Sequence, residues 1–144
     1  MIIILFTLFI TIQSATVKFE TCDRNKIVEI KNIKSTPWPP ITGLKSFFEF
    51  DISTLRQIDY LYANITSFSK TSLFQWNHHE NKIINLCDEY IYCPMIIGDL
   101  KVKIPYLISH NIISGSKWKV RIELYEKEQK SIISCVDLET FEVK

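Results

Sequence analysis

The chain of 144 residues carries 17 Lys and Arg against 16 Asp and Glu, a net charge of +1. That balance supplies no global field to draw in a nucleic-acid backbone, and no nucleic-acid partner is expected. With 47% apolar residues and no internal repeat, low-complexity tract or linker, the chain reads as one domain large enough to bury a core.

The first residues, MIIILFTLFITIQSA, are almost wholly apolar from Ile2 to Ile12, and no charged side chain precedes Lys18. The run falls short of the roughly 20 residues that a membrane-spanning helix needs. It suits a secretory leader ending on the small residues Ser14 and Ala15. We expect a signal peptide over 1–15 and a domain over 16–144. Export implies an oxidising compartment, where disulfides persist. Of the four cysteines, Cys87 and Cys93 stand in C-x5-C spacing, which suits neither a zinc pair nor a C-x-x-C redox motif. Four cysteines allow three connectivities. The pairing expected is Cys87–Cys93 with Cys22–Cys135.

Period-2 patterns then dominate. Val28 and Ile30 begin one. Pro37-Trp38-Pro39-Pro40 cannot sit within a central strand, because proline lacks the ladder donor, so it reads as a connection or an edge. From Leu44 to Ser53, the residues Leu44, Ser46, Phe48, Phe50 and Ile52 share one side. Ile52, Leu55, Ile58 and Tyr62 also suit a helical face, so a short helix stays open there. Asn64-Ile65-Thr66 is an N-glycosylation sequon at Asn64. Val102 and Ile104 alternate, and Gly115-Ser116 precedes the cleanest strand. There, Trp118, Val120, Ile122 and Leu124 face one way and Lys117, Lys119, Arg121 and Glu123 the other. Glu126–Lys130 reads as a charged hairpin tip, followed by a strand from Ile132 and by Phe141 and Val143. Seven or eight short antiparallel strands argue for an all-β sandwich.

Two features bear on chemistry. Between Asp99 and Glu123 there is no acid, while Lys101, Lys103, Lys117, Lys119 and Arg121 all fall there. If their strands are neighbours, these cations form a basic face suited to docking on an anionic membrane surface. The plainer reading is an outer strand face balanced by nearby acids. Asn77-His78-His79-Glu80 suggests metal or general-base chemistry, but adjacent residues on a strand point to opposite faces. No G-x-S-x-G elbow, H-E-x-x-H motif or Gly-rich phosphate loop is present. No enzyme activity, metal or cofactor is expected.

Taken together, several of these stretches resemble the ML lipid-recognition family. Pro37-Trp38-Pro39-Pro40-Ile41-Thr42-Gly43 is similar to its P-x-P-P-x-x-G stretch. Cys87-x5-Cys93-Pro94 with Gly98 resembles its central C…CP…G element. Ile104-Pro105 resembles its "lP" step, and Trp118-Lys119-Val120 to Cys135 its last strand pair. The resemblance covers nearly all of residues 16–144. Animal sterol carriers of the family have a third disulfide near the proline run, for which this chain has no cysteines. The P-x-P-P spacing leans towards the phospholipid-transfer branch.

The resemblance implies an immunoglobulin-like antiparallel β-sandwich with a lipid cavity between its two sheets. It implies the same two nested disulfides and a strand pair over Ile52–Tyr62. Inward residues of the alternating strands then become wall candidates: Phe48, Phe50, Ile52, Tyr62, Trp118, Val120 and Ile122. Pro94 and Ile96 become candidates for the mouth. The implied function is a monomeric carrier of one sterol or phospholipid, secreted or in the endosomal or lysosomal lumen. The alternative is a module that presents a lipid or glycolipid to another protein.

Overall fold

Alternation of apolar and polar side chains resolves into two antiparallel sheets. The structure, a computed structural model, describes residues 14–22, 27–70, 75–108, 116–126 and 132–142. Most of the leader expected over 1–15 (up to residue 13), Gly115, the expected hairpin tip beyond Glu126 and Val143 lie outside the described residues. Seven longer strands carry the fold: β3 (Val28–Thr36), β4 (Lys45–Thr54), β5 (Tyr62–Lys70), β6 (Trp76–Asn85), β7 (Gly98–Leu107), β8 (Lys117–Tyr125) and β9 (Ile132–Leu138). Short segments β1 (Ala15–Thr16), β2 (Phe19–Thr21) and β10 (Phe141–Glu142) extend the sheets. One sheet has the order β1-β3-β4-β7; the other runs β2-β9-β8-β5-β6, with β10 also paired to β8.

β8 follows the simple rule that successive side chains point to opposite faces. Trp118, Val120, Ile122 and Leu124 are buried, while Lys117 is exposed and Lys119, Arg121 and Glu123 half-buried on the other face. β4 does the same with Ser46, Phe48, Phe50, Ile52 and Thr54 inward. In β9, Ile133 to Val136 are all buried. Cys135 there carries the bond to Cys22, and β8 and β2 flank the strand on either side.

β3 departs from strict alternation. Val28 and Ile30 face inward, but the next inward residues are Ile33 and Ser35. The register on β4 shifts between Lys31 and Lys34, and Asn32 within that bulge has φ 52°. Asparagine tolerates this left-handed conformation better than most side chains. Here its Nδ2 also donates to Asp51 Oδ2 at 2.9 Å. The extra residue in the bulge switches the strand's parity, which keeps both ends apolar on the inner side.

The proline run lies between β3 and β4, outside both, where its missing amide donors leave no ladder gap. Thr36–Pro37, Trp38–Pro39 and Cys93–Pro94 are cis. Gly43, at φ 73°, turns the chain into β4 and donates its amide to Ile108 O. Neither the helix nor the strand pair considered for Ile52–Tyr62 forms. β4 ends at Thr54 and β5 begins at Tyr62, and the two strands belong to different sheets. Apolar side chains at 52, 58 and 61 are instead drawn in by a corner, pinned where Ile58 and Met95 exchange two backbone hydrogen bonds of 2.9 and 2.7 Å.

Both disulfides pair as expected. Cys22–Cys135 spans 113 positions and Cys87–Cys93 spans 6. The first ties β2 to β9, beside a Cys22 N–H donated to Cys135 O. The second starts within a single helical turn, α1 (Leu86–Glu89), which holds Cys87 and whose N-cap Asn85 accepts from Cys87 N at 3.0 Å.

Candidate functional site

The inner faces of the two sheets meet in one apolar layer. From the β3-β4-β7 sheet come Ile30, Phe48, Phe50, Ile52, Val102, Ile104 and Tyr106. From the other come Ala63, Ile65, Trp118, Val120, Ile122, Val136 and Leu138. Strand parity places each of them, and the long strands supply the register: Phe48 lies opposite Ile104 and Phe50 opposite Val102.

Of the nine lipid-wall and mouth candidates, six come together in this layer: Phe48, Phe50, Ile52, Trp118, Val120 and Ile122. Tyr62 does not join them. Ala63 and Ile65 take the inward positions of β5, so Tyr62, one step out of phase, turns to the outer face. There it stacks on Tyr125 with ring centroids 5.7 Å apart. Pro94 and Ile96 are exposed in the segment after the small disulfide loop.

That segment forms an apolar end that sequence reasoning only half found. Tyr92, Ile96 and Ile97 are 95%, 74% and 67% exposed, and Leu55 on the facing corner is 70% exposed. Tyr92, Pro94, Met95, Ile96, Ile97, Gly98, Asp99 and Leu100 line a depression of about 370 Å³ there. The signal available in the sequence was the apolar run Met95-Ile96-Ile97, which breaks the alternation just before β7. Two other depressions lie on the outer faces, one around Asn32, Glu49, Asp51 and Lys101, the other around Phe19, Lys119 and Asp137. None of these three opens between the sheets.

The five cations expected on one face are divided. Lys101 and Lys103 project from β7 and Lys117, Lys119 and Arg121 from β8, and β7 and β8 belong to different sheets. Both sets point outward, so they sit on opposite sides of the sandwich. Several are already engaged. Lys101 Nζ is 3.4 Å from Glu49 Oε1, and Lys103 Nζ lies 4.9 Å from the centre of the Phe47 ring. Arg121 forks onto Asp137 at 2.7 and 3.1 Å. Lys119 Nζ lies 5.2 Å from both the Phe68 and Trp76 rings, close enough for cation–π attraction. On the same outer face Asn64 is half-buried, its Oδ1 accepting a long 3.5 Å bond from Asn81 Nδ2.

His78 and His79 diverge, as strand alternation requires. His78 meets Phe68 edge-on at 6.0 Å on the outer face, whereas His79 meets the inward Trp118 at 4.8 Å. Among the described residues no three His, Cys, Asp or Glu side chains converge to hold a metal ion. Among the described residues, the titratable side chain buried in the interior is Tyr106. Burial pushes its phenol up to about 12; a hydrogen bond with Ser67 opposes that rise and the charge of Glu80 adds a little to it.

A two-sheet sandwich whose strands turn aromatic and branched aliphatic side chains to a shared interior, with both sheets ending in open edge strands, belongs to the immunoglobulin-like binding folds. A family model of the ML domain matches residues 16–141, and the chain belongs to the ML domain family of lipid-recognition proteins. Among solved structures, a Niemann-Pick type C2 protein from the Japanese carpenter ant superposes with a TM-score of 0.67 at 14% identity, covering 88% of this chain and 99% of its own. Chicken MD-1, solved in complex with lipid IVa, gives 0.52 at 13% identity, covering 88% and 98%. The C-terminal domain of wzt gives 0.58 at 8% identity, covering 89% and 78%. At these identities the likeness is one of fold. A search of curated proteins by sequence found no match.

Proposed function

We propose that the protein takes up one sterol or phospholipid between its sheets and carries it between membranes, without covalent chemistry. The observation that carries the reading is the set of inward aromatic and aliphatic residues on β4 and β8, in a chain of the ML family. Apolar surface withdrawn from water contributes about 25 cal/mol per Å², so a sterol-sized ligand gains several kcal/mol with no charged contact. Phe48, Phe50, Ile52, Trp118, Val120 and Ile122 form the wall. The ligand enters by parting β6 from β7, the edge strands of the two sheets, which are joined through residues 86–97. Exposed Tyr92, Ile96 and Ile97, beside Pro94, sit at that join and suit the mouth.

The leader and the two disulfides support a secreted protein or one in the endosomal or lysosomal lumen, with Asn64 glycosylated. Docking to anionic membranes falls to one outer face, that of Lys117, Lys119 and Arg121. Mass spectrometry of lipid extracted from the purified protein tests the reading. One lipid per chain, of a single class, is the expected result. Protein that is free of lipid and takes up neither labelled sterol nor labelled phospholipid from vesicles would overturn it.

A further inference from the structure

The apolar interior contains a line of hydroxyl groups, and one of them is unpaired. Ser46 on β4 and Tyr106 on β7 are opposed in register. Both face inward, Ser46 only 1% exposed and Tyr106 4%. Tyr106 reaches across to the second sheet, where its hydroxyl is hydrogen-bonded to Ser67 of β5. Ser67 Oγ donates in turn to Glu80 O at 3.4 Å. Among the described residues, Ser46 Oγ, though buried, has no hydrogen-bond partner.

A buried, unsatisfied hydroxyl is unusual, since the large majority of buried side-chain polar atoms have a partner. The other buried hydroxyl on β4, that of Thr54, donates to Arg56 O at 2.8 Å, and Ser35 on β3 donates to Pro37 O at 2.8 Å. Ser46 alone among these three is left with both a donor and an acceptor unused, beside Tyr106 and next along the inner face from Phe48, whose ring lies 5.3 Å from that of Tyr106.

We propose that Ser46, with Tyr106 beside it, anchors an uncharged hydroxyl group on the ligand. The proposal rests on the lipid-carrier reading and narrows it: the site takes an apolar body bearing one free hydroxyl, as in a sterol or a diacylglycerol. A neutral hydroxyl both donates and accepts, which matches what Ser46 offers. A phosphate does not fit. A phosphate buried beside Ser46 would need a compensating cation, because an unpaired charge in an apolar interior is costly. The cations of β7 and β8 face outward, and on β6 both Lys82 and Glu80 are exposed to solvent, which screens each of them.

The test compares wild type with Ser46→Ala in equilibrium binding. The probes are a fluorescent 3-hydroxysterol, its 3-deoxy counterpart, a fluorescent diacylglycerol and pyrene-labelled phosphatidylglycerol. One neutral hydrogen bond lost should weaken binding of the hydroxyl-bearing probes about 3- to 10-fold. Binding of the deoxysterol should not change. The two hydroxylated probes tell a sterol from a glyceride, as the source fits the interior only where wild type binds it. Thermal melting of unliganded Ser46→Ala should match or exceed wild type, because the hydroxyl removed there made no bond. An equal loss for hydroxylated and deoxy probes, or none for either, overturns the anchor and leaves the carrier reading standing. Phosphatidylglycerol binding that depends on Ser46 overturns the assignment to a neutral group. A wild type that binds none of the four overturns both.

Discussion

Removing the Cys22–Cys135 bridge should cost more than removing Cys87–Cys93, and the two loop lengths say by how much. A cross-link restricts the unfolded chain in proportion to the logarithm of the loop it closes. Separations of 113 and 6 positions give about 4.8 and about 2.2 kcal/mol at 25 °C on the chain-entropy relation. The native state adds to the gap. β2 is held to β9 by only three register pairs, Phe19 to Thr21, and the long bridge closes immediately after them. Without it that edge strand frays. Cys87–Cys93, by contrast, spans a turn already bound by Asn85 and by Leu61 N–H donated to Cys87 Sγ at 3.4 Å. The assay is urea unfolding of the Cys22→Ala/Cys135→Ala and Cys87→Ala/Cys93→Ala variants. A difference of about 2.5 kcal/mol, with a slope of about 1–3 kcal/mol per M, separates their midpoints by roughly 1–2.5 M. Hydrogen exchange should show the β2 amides unprotected in the first variant only. Equal midpoints at equal slopes would refute the loop-entropy argument, and protected β2 amides would refute the claim that the bridge holds this edge.

Phe50→Ala should cost about 3–5 kcal/mol of stability if the layer is filled, and less, with lipid affinity falling instead, if Phe50 lines space that a ligand occupies; thermal melts beside lipid titrations decide. Val120→Trp should block lipid uptake while the protein still folds, since the added bulk enters the ligand's place; unfolding by this change would argue for a filled core. Stability should fall as pH rises from 10 towards about 12, because the unfolded phenol ionises near 10 while folded Tyr106 stays neutral until about 12. The contribution is fully present below pH 10 and amounts to roughly 2–3 kcal/mol, so Tyr106→Phe should flatten that part of the alkaline melting profile. Charge reversal at Lys117 and Lys119 should slow exchange with anionic vesicles at low salt and leave lipid affinity intact, whereas reversal at Lys101 and Lys103, on the other sheet, should leave the rate unchanged. Identical transfer rates for both pairs would remove the docking role from β8.

Much of the architecture was legible because inward and outward facing is a local property of a strand. The alternation over Lys117–Tyr125 and Leu44–Ser53 assigns each side chain a face before any partner strand is known, and Phe48, Phe50, Trp118, Val120 and Ile122 lie where it puts them. The cysteines and the proline run were readable for similar reasons, one from compartment and family pattern, the other from an absent donor. What the sequence could not settle is which strands share a sheet. Pairing joins residues as far apart as Lys45 and Leu107, so proximity along the chain says little about it. Hence β4 and β5 proved not to be partners, and five cations close in sequence were parted onto opposite faces. Tyr62 went outward because strand parity on β5, not helical spacing from Ile52, sets its direction. A one-residue bulge at Asn32 reversed the parity of β3 through a register shift that only its pairing with β4 defines. Ser46 shows the division most plainly. Its inward face was evident from its neighbours at 44, 48 and 50. Its isolation was not, because a hydroxyl's lack of a partner is fixed by every group around it, and those include Tyr106 on β7, 60 residues further along the chain.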